Sequence, residues 1–173
     1  MELILEFLKF LIPALLVLYA MYLMVKAFIQ KDIEQKILDI KMKNQEVVLP
    51  IRLQAFERMA LFLERITPNN LVLRLNDGSY SAKQFQQVLL SEVREEYYHN
   101  LSQQVYMADQ TWELVKNAME EIIVVINQAG SGLPEDAKSI DLARRIFERM
   151  LEKNNDPIGE ALKSLKNEIR HTF

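Results

Sequence analysis

Phe10-Leu-Ile-Pro13-Ala-Leu-Leu-Val-Leu-Tyr19-Ala-Met-Tyr22-Leu-Met-Val25 runs without a charged side chain. Apolar character extends outward through Leu3, Ile4, Leu5, Phe7 and Leu8 on one side and Phe28 and Ile29 on the other. That supplies the roughly 20 residues a helix needs to cross about 30 Å of hydrocarbon. Glu6, Lys9 and Lys26 lie near the ends, where long charged side chains reach water. Tyr19 and Tyr22 lie toward the exit side, where amphipathic rings favour the interface. Pro13, in the first half, is expected to kink or start the helix. A cleaved signal peptide needs a basic start and a small-residue cleavage site, and neither Met1-Glu2-Leu3 nor Lys26-Ala27-Phe28-Ile29 provides them. A core helix of a small domain is rarely apolar all round over this length. Residues 1–29 are therefore expected to form a transmembrane anchor.

One lysine, Lys9, precedes the span, whereas Lys26, Lys31, Lys36, Lys41 and Lys43 follow it closely. Asp32, Glu34 and Asp39 are interspersed but weigh little in the positive-inside rule, which puts the N-terminus outside and the rest in the cytoplasm. Beyond the span, Ile29, Ile33, Ile37, Ile40, Asn44 and Val47 recur at steps of four, four, three, four and three, one face of a helix. Residues 30–49 are expected to continue the membrane helix as an amphipathic stalk. Its seam either packs against the same chain or joins copies into a homo-oligomer, with the polar Asn44 setting register.

Residues 50–173 are expected to form one soluble bundle of about five helices. Pro50 marks a kink or a new first turn, and Ile51, Ala55, Met59, Phe62 and Ile66 keep one face apolar to about residue 66. Thr67-Pro68-Asn69-Asn70 breaks that pattern. Leu71–Leu75 is read as a short helix, because no second strand is visible to pair with it. Asn76-Asp77-Gly78 is a turn, and Ser81 with Gln84 forms a capping box at the head of a helix reaching about His99. Asp109 is expected to cap a helix carrying Trp112, Val115, Met119, Ile122 and Ile126, which ends at Gly130-Ser131-Gly132. Asp141 is expected to open the next helix, and Asp156-Pro157 the last.

Leu49-Pro50-Ile51-Arg52-Leu53-Gln54-Ala55-Phe56-Glu57-Arg58, Phe62–Asn70, Phe85-Gln86-Gln87 and His99–Tyr106 together resemble a family of uncharacterised bacterial proteins. Its members carry one N-terminal membrane helix and a cytoplasmic helical domain. The resemblance covers nearly the whole chain and implies a bacterial inner membrane as the location. It transfers no functional residue.

Composition narrows the chemistry. The chain has no cysteine, so disulfides, thiolate metal sites and cysteine nucleophiles are excluded. A net charge of −3 without a basic stripe gives nucleic acid no surface. Four glycines form no phosphate loop, and the serines, among them Ser79, Ser91, Ser102 and Ser164, show no suggestive spacing to a histidine and an acid. No catalytic residue, cofactor or metal is expected. The sharpest exception is Glu96 with His99 and Glu168 with His171, which hold the only two histidines at the i, i+3 spacing of carboxylate-bridged di-iron centres. Their plain reading is two surface histidines.

Arg52, Arg58 and Arg65 share a helix, while Tyr97, Tyr98 and Tyr106 fall close to Trp112 in sequence. Arginine and aromatics anchor interfaces, so these residues form the candidate partner surface. An internal arginine–glutamate network with core aromatics is the competing account. The expected function is a non-catalytic accessory or scaffold protein, anchored in the bilayer and binding another membrane or cytoplasmic protein. The alternatives are a membrane-bound metal-dependent enzyme and a strut resembling the peripheral stalk of rotary ATPases.

Overall fold

The computed structural model describes residues 2–152 and 155–172. The side chains of Leu3, Ile4, Leu5 and Phe10 within the expected span lie outside the described set. The protein is all-α. In chain order α1 is Glu2–Ile66, α2 Pro68–Leu75 and α3 Ala82–Asn100, followed by a 3-10 helix Leu101–Tyr106. Then come α4 Asp109–Gly130, α5 Ser139–Glu152 and α6 Pro157–Thr172. Among the described residues the sole β feature is an isolated bridge between Ser81 and Lys138.

The chain falls into two units, Met1–Leu49 and Pro50–Phe173. In the first, the helix carries exposed apolar side chains on every face from Leu11 through Ile29. Farther along, Ile33, Ile37, Ile40, Asn44 and Val47 are also exposed. Lys36 pairs with Asp32 one turn earlier, at 2.7 Å. Helical backbone is assigned through both Pro13 and Pro50, so neither proline starts a helix as the sequence allows. Each removes one backbone donor, and the long flanking runs of helix formers hold the remaining hydrogen bonds.

The second unit has its own core. Phe56, Met59, Phe62, Leu63 and Ile66 of α1 enter it, as do Leu71 and Val72 of α2 and Phe85, Leu89 and Val93 of α3. The spine is α4, whose Trp112, Val115, Ala118, Met119, Ile122, Val125, Ile126 and Ala129 recur every three or four residues, one continuous apolar stripe. It packs on α3, α5 and α6. Leu142, Ile146, Ile158, Ala161 and Leu165 close the far side.

Local chemistry sets the helix ends. Leu71–Leu75 is helical as expected, but α2 begins earlier because Pro68 takes a first-turn position, where its missing N–H costs nothing. Ser81 and Gln84 form the expected capping box of α3. Asp156 caps α6, its Oδ1 accepting from the Gly159 amide at 2.9 Å. Two acids sit deeper than expected. Ala108 occupies the cap of α4 and Asp109 its first turn, where a negative charge meets the exposed amides at the positive end of the helix dipole. Asp141 lies within the first turn of α5 and accepts from the Lys138 amide at 3.0 Å, the returning half of a capping box. Gly132 takes φ 79°, which frees the chain to turn after α4. The Ser131 carbonyl in that turn accepts from Arg145 at 3.1 Å.

Candidate partner interface

The arginines of α1 stand on a helix whose opposite face is core, so their positions decide which carboxylates they meet. Arg52 donates to the Tyr106 carbonyl at 3.3 Å and lies 3.6 Å from Glu168 Oε1. Its guanidinium stacks over the Phe56 ring, 5.8 Å from the centroid. Glu168 Oε1 also accepts from the Ala108 amide at 2.8 Å, which ties α6 to the head of α4. Arg65 reaches Glu96 at 2.7 Å and Glu92 at 3.7 Å, and Arg74 of α2 joins it on Glu92. Glu92 and Glu96 are half-buried. They are thus partners of two arginines rather than solvated carboxylates.

The aromatics divide. Trp112 is buried in the core, and Tyr97 packs against it with ring centroids 5.7 Å apart and against Phe62 at 6.0 Å. Burial pushes the Tyr97 phenol above its ordinary pKa, with the Glu120 and Glu113 carboxylates adding to the rise. Tyr106 is half-buried and gives its carbonyl to Arg52. For Arg52, Arg65, Tyr97 and Trp112 the structure therefore gives internal roles: two arginine–glutamate junctions and an aromatic stack. Tyr98 remains exposed at 67%, and Arg58 is exposed with no ion pair among the described residues.

The two Glu/His pairs are engaged separately. Glu96 meets Arg65, Glu168 meets Arg52, and both His99 and His171 are exposed. Among the described residues no group of three or more histidine and acidic side chains converges as a metal site would require. The serine hydroxyls lie in structural bonds: Ser164 with Thr111 between α6 and α4, Ser139 with the Asp77 carbonyl, Ser131 with the Gln128 carbonyl.

Residues 2–172 match a family described as a family of unknown function, DUF7935. The chain belongs to that family. No curated protein and no solved structure matches this DUF7935 chain. Membership agrees with the resemblance to an uncharacterised family and assigns no role to any residue. Sequence reasoning also missed part of this DUF7935 surface. Val105 is 74% exposed and lines a groove with Ile51, Gln54, Arg58 and Tyr106. The signal was present, since Val105 is an aliphatic residue in the polar run Ser102-Gln103-Gln104 just where the helical period loosens.

Proposed function

We propose that this DUF7935 protein is a single-pass membrane-anchored accessory or scaffold protein, in which residues 1–29 span the bilayer, 30–49 form a stalk and 50–173 bind another protein. One observation carries the reading. The first part of α1 contains a window of mean hydropathy 2.1 with none of it buried. Apolar surface left in water costs roughly 25 cal/mol per Å², so a helix oily on every face calls for lipid. A soluble core helix of equal hydropathy is covered by its own domain. The lysines from Lys26 to Lys43 favour a cytoplasmic domain, and the resemblance above favours the inner membrane of a bacterium. Tethering raises the effective concentration of the bundle near other membrane proteins, so a weak contact is enough for an accessory role.

The absence of cysteine makes the topology directly measurable. Single-cysteine variants Glu2→Cys and Ser131→Cys are exposed to a membrane-impermeant maleimide in spheroplasts, alongside alkaline-carbonate extraction of membranes. The protein should stay in the carbonate pellet, with Glu2→Cys labelled at once and Ser131→Cys only after permeabilisation. Release into the supernatant would remove the anchor, and the reverse labelling would remove the orientation.

A further inference from the structure

Within the bundle, the solvent face of α1 carries Ile51, Gln54, Arg58, Leu61 and Arg65 at steps of three and four, all exposed. Beside its first half runs the 3-10 helix, and the two form a groove lined by Ile51, Gln54, Arg58, Val105 and Tyr106. Two aliphatic side chains, Ile51 at 44% and Val105 at 74%, face water there. Arg58 stands between Arg52 and Arg65, each of which has a glutamate of the same domain. Arg58 meets no carboxylate among the described residues. Two exposed aliphatic side chains, one on each segment of the groove, and one guanidinium without a carboxylate among the described residues match an amphipathic helix carrying a carboxylate, the helix-in-groove mode of recognition.

A second copy fits less well. A two-fold pair formed on this face brings two such guanidiniums into one seam, and the groove lining holds no carboxylate to meet either. A groove with a single cation, on a chain of net charge −3, is likewise poor footing for a polyanion. We propose that this groove docks an amphipathic helix of a different protein, whose aliphatic side chains cover Ile51 and Val105 and whose Asp or Glu pairs with Arg58. The inference rests on the reading of the domain as a protein-binding module and names its site.

The test uses the full chain in nanodiscs and two synthetic helical peptides, identical in their leucine stripe, one with glutamate a turn from the leucines and its twin with glutamine. The glutamate peptide should bind about tenfold tighter than its twin, the scale of one charge-assisted hydrogen bond. Arg58→Gln should erase that preference, and Val105→Ser should weaken both peptides. Both positions are exposed, and an unchanged thermal melt checks that each variant folds. Equal affinities, no binding of either peptide, or a preference that survives Arg58→Gln overturns the proposal.

Photo-crosslinking in cells separates this site from the broader reading. A benzophenone amino acid at Val105 should give an adduct with another protein that disappears on Arg58→Glu, and an adduct of twice the chain mass would give the groove to a second copy instead. Adducts from the exposed Leu151 alone would remove the groove while leaving a protein-binding domain, and adducts from neither position would remove both.

Discussion

Tyr97 shows how burial writes a pH dependence into one side chain. Its phenol is harder to ionise in the fold than in the unfolded chain, because burial and the Glu113 and Glu120 carboxylates all oppose a negative charge. A raised folded value gives a stabilising contribution fully present below the unfolded pKa of about 10 and lost as pH rises through the folded one. The melting temperature should therefore fall as pH climbs past about 10, and Tyr97→Phe, which keeps the ring contacts with Trp112 and Phe62, should flatten that fall while leaving neutral-pH stability nearly unchanged. Circular-dichroism melts of both proteins from neutral to alkaline pH check this; identical profiles would refute it. The same residue marks a limit of the sequence. Aromatics fill interfaces and cores alike, and an arginine that anchors an interface serves equally as the partner of an internal glutamate, so composition cannot separate the two. The separation comes from which face of α1 is buried, and the Phe56, Met59, Leu63 and Ile66 stripe settles that once it joins the core shared with α3 and α4.

At the scale of elements, helix starts were legible wherever a side chain alone supplies the cap. Ser81 with Gln84 and Asp156 with Pro157 are such cases, and both stand where the spacing puts them. Asp109 and Asp141 read as caps because an acid just inside the first turn also suits the positive end of a helix, Asp109 by its charge and Asp141 by accepting from the Lys138 amide. No sequence rule ranks those placements without knowing the path of the preceding loop. The loop before α5 is fixed by partners distant in sequence, with the Ala82 amide bonding the Ala137 carbonyl and the Ser139 amide the Tyr80 carbonyl. The capping box offers a quantitative check. Ser81→Ala should cost about 1 kcal/mol, read from urea unfolding, as typical for loss of an N-cap side chain. Gln84→Ala should cost less, and the double variant less than the sum of both, because the two side chains serve each other's backbone. Strict additivity would mean that the two bonds act independently.

At the scale of the molecule, the buried apolar cluster among the described residues lies between Phe56 and Leu165, so the second unit holds a core of its own. The all-helical class was open to pattern reading, since apolar residues on every face give way after Ile29 to one-sided stripes at helical spacing. The groove beside Val105 was not, because it is made by two segments about fifty residues apart and by the 3-10 helix, which has no strong period. The fragment beginning at Pro50 contains that whole described core. Cutting there removes no side chain of the described core and leaves a proline at the first helical position, where its fixed φ favours starting a helix and its missing N–H is no loss. The fragment should express as a soluble helical monomer, melt cooperatively and keep the Arg52–Glu168 junction. The ion pair is half-buried, so Glu168→Ala in the fragment, which strips both Arg52 and the Ala108 amide of a partner, should lower stability by about 1–3 kcal/mol. The full chain, prepared the same way without detergent, should aggregate through the exposed apolar faces of its first unit. Sedimentation velocity and denaturant melts of both preparations decide the matter. A fragment that stays unfolded would mean that residues before Pro50 complete the core, and a full chain that stays monomeric in plain buffer would mean that its oily helix has found cover other than lipid.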